Sequence, residues 1–438
     1  MSKDKQSGDL NYLLPEQLCV GIFVILDLPW FKHNFPLGSF KIRNPKQLSE
    51  VLALRLPKYR YDPERSDVPP KEKTAAAKDA EVLKPIEEAE PVPLPVVAND
   101  PESLRAFRLA ERAKQIGQVE KSFVKAAKMM KNLNRNLLAQ PKETMEEMGG
   151  LVGEMVTAFL GSTEATLHVM GEKAGGEDVY HHSLNVTILS MMLTKDLGFT
   201  SQAAQQLGMG AMVHDIGLSE IPSQVLMKSP DEYSHAEHEL RAMHVEYGVG
   251  IGRRIGLSPE ALTIIAQHHE MANGSGYPNA LKEAEMTPAA RVVSMVNFYD
   301  NLCNPVDINK AMTPHEALSF MFAQRRSNFE GRALQLMIRS LGVYPPGSIV
   351  QLSSKSLAAV FSINPKKPLR PWVLVYDQKV PKEKAIMIDL EDAPEITITK
   401  SIRPAMLPPK VATYLNPRKR ITYFFDGGPE AASHPKTA

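Results

Sequence analysis

Eight of the twelve histidines in this 438-residue chain fall in one stretch: His181, His182, His214, His235, His238, His244, His268 and His269. Their neighbours matter more than their number. His214 is followed by Asp215, then by Ile216 and Gly217. Adjacent side chains on an α-helix diverge by about 100°. His214 and Asp215 can therefore serve one metal only from a turn-like helix end, or else by bridging two ions. A buried aspartate shared by two cations and flanked by imidazoles is a chemically sensible centre, because first-row ions accept both ligand types. His268-His269 repeats the adjacency, so each ring can face a different ion. His182 and His244 supply one ligand each, and Asp178 lies one helical turn before His182. His181, His235 and His238 read as ordinary core or surface residues.

The surrounding sequence predicts helices to carry these groups. Ser201 is placed to cap a helix running to His214. Ser234 with Glu237 forms a capping box for the helix carrying His244. Ser258-Pro259 and Thr287-Pro288 each set a cap and a first-turn proline, before His268-His269 and before Asn297. Upstream, Ile116, Val119, Phe123, Ala126, Met130, Leu133 and Leu137 make an a/d stripe that ends at Pro141. Two readings stand: one long helix packed on its own domain, or a homodimer seam over residues 116–137 that relays a signal.

The chain divides into a small α+β domain (1–66), a Pro/Ala/Glu-rich linker (67–101), the heptad helix (102–141) and a helical domain (142–345). A β-rich appendage (346–415) and a basic, disordered tail (416–438) follow. Strand-like runs are Cys19 to Leu28, Phe40 to Ile42 and Tyr59 to Tyr61 at the front. At the back they are Ser348 to Leu352, Leu357 to Ile363 and Trp372 to Tyr376.

Composition narrows the function classes. Apolar residues make up 43% of the chain, enough for a sizeable core. A net charge of +1 gives no global attraction to a nucleic acid polymer or an anionic membrane. Two cysteines, Cys19 and Cys303, cannot build a disulfide framework. The first residues lack the form of a signal peptide, and no apolar run approaches a membrane span. A cytoplasmic protein is the expectation.

In order and spacing, His182-Ser183, His214-Asp215-Ile216-Gly217, His244 with Gly248, His268-His269-Glu270 and Gly274-Ser275-Gly276-Tyr277-Pro278 resemble the HD-GYP family over about 180–345. Residues 10–66 are similar to a small domain often fused before HD-GYP domains. The stretch from Tyr344 to Val350 resembles the family's usual extension. The implied fold is mainly α, an HD-type helical bundle with a small β-containing N-terminal domain and a β-rich C-terminal appendage. The implied activity is metal-dependent hydrolysis of cyclic di-GMP, a bacterial second messenger, to pGpG or GMP, with protein signalling partners also in view.

The resemblance further implies two or three iron or manganese ions, held by His182, His214, Asp215, His244, His268 and His269, with His214 and Asp215 as the catalytic pair. Asp178 and Asn297 complete the candidate ligands, while Gly276, Tyr277, Pro278 and Lys310 are the candidate substrate contacts. Tyr277 would offer a ring on which a guanine stacks.

Four positions depart from the family. Leu218 stands where a lysine usually follows the HDxG motif, and Asn297 stands at the last aspartate ligand, with Asp300 one turn on. Asn273 replaces the acidic residue before GSGYP. The basic, phosphate-gripping stretch reads Asn304-Pro305-Val306-Asp307-Ile308-Asn309, leaving Lys310 as its cation. These changes fall on phosphate grip and catalysis more than on the histidine cage. A weakened or inactive cyclic di-GMP sensor or adapter is therefore the alternative to an active enzyme, and a related phosphohydrolase for another nucleotide is a third reading.

Overall fold

The computed structural model describes residues 12–26, 39–69, 119–161, 166–169 and 179–426, apart from positions 53, 55, 57, 64, 120, 133–135, 138, 364–366, 368, 418 and 419. Two compact units divide the chain, Met1–Lys84 and Pro85–Ala438.

The first unit is a four-stranded antiparallel sheet in the order β1-β4-β2-β3 with one helix. Its elements are β1 (Tyr12–Leu13), β2 (Phe23–Ile25), β3 (Ser39–Lys41), α1 (Pro45–Leu52) and β4 (Tyr59–Asp62). Ile22, Val24, Ile42 and Val51 are buried together. Tyr59 joins them because its hydroxyl donates to the Val51 carbonyl at 2.8 Å, which removes the cost of burying it. Asp67, where the linker was expected to begin, is still tied to this sheet through its N–H to the Gly21 carbonyl. Positions 70–101 of that linker lie outside the described residues.

The second unit opens with the heptad stripe. Residue 119 and residues 121–132 are helical and form α2. Val119, Phe123 and Ala126 are buried in one core cluster of this unit, and Met130 and Leu137 in another. Ile116 and Leu133 lie outside the described residues. Within the single chain these described side chains pack on their own unit.

Helices α3 (Pro141–Val156), α4 (Val179–Met192) and α5 (Ser201–Met212) follow, with β5 (Thr166–Val169) between the first two. Thr200, not Ser201, caps α5, its side chain accepting from the Ala203 N–H. After α6 (Ser223–Leu226) come α7 (His235–Ala242), α8 (His244–Arg254), α9 (Pro259–Gln267) and α10 (Pro288–Cys303). The capping box at Ser234 and the Ser258-Pro259 and Thr287-Pro288 starts form as the sequence predicts. The box opens α7, however, and His244 begins a separate helix after Met243. Two more helices, α11 (Pro314–Gln324) and α12 (Gly331–Leu341), close the bundle.

Beyond it, β6 (Ile349–Leu352), β7 (Leu357–Ser362), β8 (Trp372–Val375), β9 (Ile386–Asp389) and β10 (Ile398–Ile402) form an antiparallel sheet ordered β10-β6-β7-β8-β9. Alternation serves both faces: Val350 and Leu352 enter one cluster, while Ile349 enters the other with Val411 and Leu415 of α13 (Pro409–Leu415).

The expected disordered tail is corrected in its first part. Tyr423–Asp426 form β11, antiparallel to β5 with Tyr423 opposite Val169. Ile421, Tyr423 and Phe424 are buried in the main core. This aromatic run outweighs the basic residues before it, because burying three large apolar side chains contributes several kcal/mol. Residues 427–438 lie outside the described part. Among the described residues no helix is long and apolar enough to cross a membrane.

Candidate metal centre

His214 and Asp215 sit just past the end of α5, in the turn before a short 3-10 helix at Ile216–Glu220. That placement resolves the divergence problem, since the backbone is no longer helical where the two side chains must converge. The turn can press against α8 only because position 217 is glycine. A Cβ on Gly217 would fall 1.9 Å from the His244 carbonyl oxygen and 2.5 Å from the Gly248 nitrogen. His268 is the C-cap of α9, with His269 beyond it, so this adjacent pair also lies at a helix end.

The side chains meet around Asp215. One carboxylate oxygen, Oδ2, lies 3.4 Å from His214 Nε2 and 3.6 Å from His182 Nε2. The other, Oδ1, lies 3.3 Å from His244 Nε2 and 3.4 Å from His268 Nε2. The ligand atoms fall into two groups that share Asp215: His182, His214 and Asp215, and Asp215, His244, His268 and His269.

Hydrogen bonding fixes which ring nitrogens face inward. The Nδ1–H groups of His214, His244 and His268 donate to the carbonyls of Ala211, Arg241 and Ile265 at 2.7, 2.5 and 2.7 Å. A carbonyl can only accept, so in each neutral ring the inward Nε2 carries a lone pair. Yet His244 and His268 bring their Nε2 atoms to 3.2 Å, and His214 and His182 theirs to 3.3 Å. Paired lone pairs at that distance call for a cation between them. Asp215 Oδ1 and His269 Nε2 are also buried without a hydrogen-bond partner. The donor set therefore fits transition-metal ions.

The titration directions agree with this. Burial alone would raise the Asp215 pKa, but contacts with His214, His244 and His268 hold it well below the usual carboxylate range. Burial pushes His268 down to about 4, and His269 lower than its ordinary value as well. His182 differs: burial disfavours its charge, but Asp300, with Asp215 and Asn297, more than offsets this and its pKa rises.

Asp300 is the functional residue that sequence reasoning misplaced. It does not substitute for Asn297 as a ligand. Its buried Oδ2 accepts from His182 Nδ1 at 2.7 Å, which turns His182 Nε2 toward Asp215. Its Oδ1 is held by Asn185 Nδ2 at 2.8 Å and Asn304 Nδ2 at 2.9 Å. Both amides also donate to the Ile421 carbonyl at 2.8 Å, and the Tyr423 N–H donates to Asn185 Oδ1. The C-terminal strand thus anchors the carboxylate that orients His182. No local sequence signal links residues over 100 positions apart.

Asn297 is buried on α10, and its Oδ1 accepts from Asn301 at 2.8 Å. The GSGYP loop wraps over the second group. Glu270, buried, accepts the N–H groups of Asn279 and Leu281, and a Cβ on Gly276 would fall 2.4 Å from the Glu270 Cα. Tyr277 stacks on His269 at 4.5 Å and 17°, so one ring face is already covered. The exposed Pro278 follows through a cis peptide bond. Asn273 accepts from Ser275 and shapes the turn. Lys310 is tied to Asp231 at 2.7 Å and Ser229 at 3.1 Å. Asp178 lies outside the described residues. His181 packs on Phe123, His238 on Tyr233, and His235 is exposed; none joins the cluster.

Comparison with known proteins agrees with the geometry. Residues 132–332 match the HD domain family, 13–148 a domain of unknown function, and 349–408 a KOW domain associated with HD domains. The likeness to HD domains thus lies in residues 132–332. The chain is 27% identical over 229 residues to a cyclic di-GMP phosphodiesterase of Pseudomonas aeruginosa, covering 52% of this chain and 54% of that one. It is 25% identical over 241 residues to a cyclic di-GMP phosphodiesterase response regulator of Xanthomonas campestris, covering 54% and 59%. A 3'3'-cGAMP-specific phosphodiesterase of Vibrio cholerae matches at 27% over 207 residues, covering 47% and 36%. The chain thus spans little more than half the length of its first two curated relatives.

Proposed function

We propose that the protein is a metal-dependent phosphodiesterase that hydrolyses cyclic di-GMP to pGpG, GMP or both. The observation that carries this reading is Asp215, whose two oxygens each face a pair of inward imidazole lone pairs. Two iron or manganese ions would suit that donor set: His182 and His214 would hold one, His244, His268 and His269 the other, and Asp215 would serve both. Such ions bind a phosphodiester oxygen, lower the pKa of bound water and neutralise developing charge. The remaining work falls to the chain. The helix carbonyls of Ala211, Arg241 and Ile265 keep the Nδ1 protons outward. Asp300 holds His182 in the same sense. Tyr277, stacked on His269, would be the ring placed beside the second group for a base to meet. The names of the relatives support a cyclic dinucleotide as substrate, with cyclic di-GMP ahead of cyclic GMP-AMP.

A second reading, a cyclic di-GMP sensor with little turnover, is favoured by Leu218 and by Asn297, whose amide brings no charge and whose Oδ1 is shared with Asn301. One experiment separates them. Manganese-loaded protein incubated with cyclic di-GMP and followed chromatographically should give linear product, and a chelator should stop it. Saturable binding without product selects the sensor. Neither binding nor product rejects both.

A further inference from the structure

The phosphate-gripping cation is missing from its expected place, since Lys310 is neutralised by Asp231. Another cation stands beside the centre. Arg241 ends α7, and its backbone carbonyl receives the His244 ring proton. Its guanidinium lies close enough to His269 and Tyr277 to act electrostatically on both. Arg241 Nη1 is buried and has no hydrogen-bond partner. Among the described residues no carboxylate pairs with Arg241, whereas Arg291, with a similarly buried nitrogen, has Glu283 and Glu330.

A buried guanidinium nitrogen without a partner costs stability, and the cost rises beside a centre whose donors call for cations. Ions would satisfy Asp215 Oδ1 and His269 Nε2, but they would repel Arg241. What satisfies it is an anion shared with the centre, and a phosphate oxygen suits the planar fork. We infer that Arg241 is the anion receptor of this site, gripping a non-bridging oxygen of the bound phosphodiester beside His269. Only the identity of that anion rests on the phosphodiesterase reading.

The test is calorimetric titration of the manganese-loaded full chain with inorganic phosphate. Arg241→Met and Arg241→Gln should weaken phosphate binding by roughly 10- to 100-fold. Arg241→Lys should retain part of it. Metal content in the neutral variants should stay equal or rise, because a repelling charge has gone. Unchanged phosphate affinity in the neutral variants, no phosphate binding in any form, or loss of metal in the neutral variants would each overturn the inference. Arg241-dependent phosphate binding in a protein that ignores cyclic di-GMP would keep the receptor and discard the phosphodiesterase reading. Cleavage of cyclic di-GMP with phosphate binding indifferent to Arg241 would do the reverse.

Discussion

The two ligand groups that share Asp215 are built in different ways. The group of His244, His268 and His269 is local. His244 and His268 each return a proton to the carbonyl three residues earlier, and the glycines at 217 and 276 let the neighbouring backbone close on them. The group of His182 and His214 is local only at His214. His182 depends on Asp300, which depends on Asn185 and Asn304, which both hold the Ile421 carbonyl beside β11. One half of the centre is fixed by helix ends, and the other by the far end of the chain. Local contacts survive perturbation elsewhere, while a relay fails when any member does.

Perturbations that address one half at a time will sharpen or break that contrast. Asp215→Asn removes the charge common to both halves, so both ions should be lost and turnover should fall by about 1000-fold or more. Elemental analysis that finds both ions retained would end the idea of a shared ligand. Asp300→Asn should act on one half only, weakening that ion by about 10- to 100-fold while the other keeps its affinity. A manganese titration in which both sites weaken equally would erase the distinction. Asn297→Asp adds a negative donor beside His182 and should tighten the same half by about tenfold. An unchanged isotherm would place residue 297 outside the ligand set. Asn185→Ala should have the smallest effect on metal, a few-fold at the His182 half. It also strands the Tyr423 N–H, so thermal unfolding should report a loss of about 1–3 kcal/mol.

The same contrast explains what the sequence made legible. His214-Asp215, His268-His269 and the prolines after Ser258 and Thr287 are short-range signals, and each implies a helix end with a defined outcome. The front strands and β6, β7 and β8 were readable as β-branched runs; β9, β10 and α13 were not singled out, although Ile396-Thr397-Ile398-Thr399 is such a run. The heptad stripe could not reveal its own partner, because an a/d pattern is the same whether the facing surface belongs to one chain or two. Asp300 was visible only as a spare carboxylate one turn from Asn297. Its role needs Asn185 and Ile421, which sequence distance hides. Tyr423 and its neighbours were masked by the basic residues before them, though Ile421 to Phe425 is itself a strand signal.

In the proposed centre Asp215 would join two ions of unequal support. Manganese titration of the metal-free full chain, with cyclic di-GMP turnover measured at each point, tests it most directly. Two ions per chain should bind at saturation, with turnover following the weaker one. In His182→Ala the tighter ion should remain while turnover disappears. Saturation at a single ion, or full turnover in His182→Ala, would contradict the account.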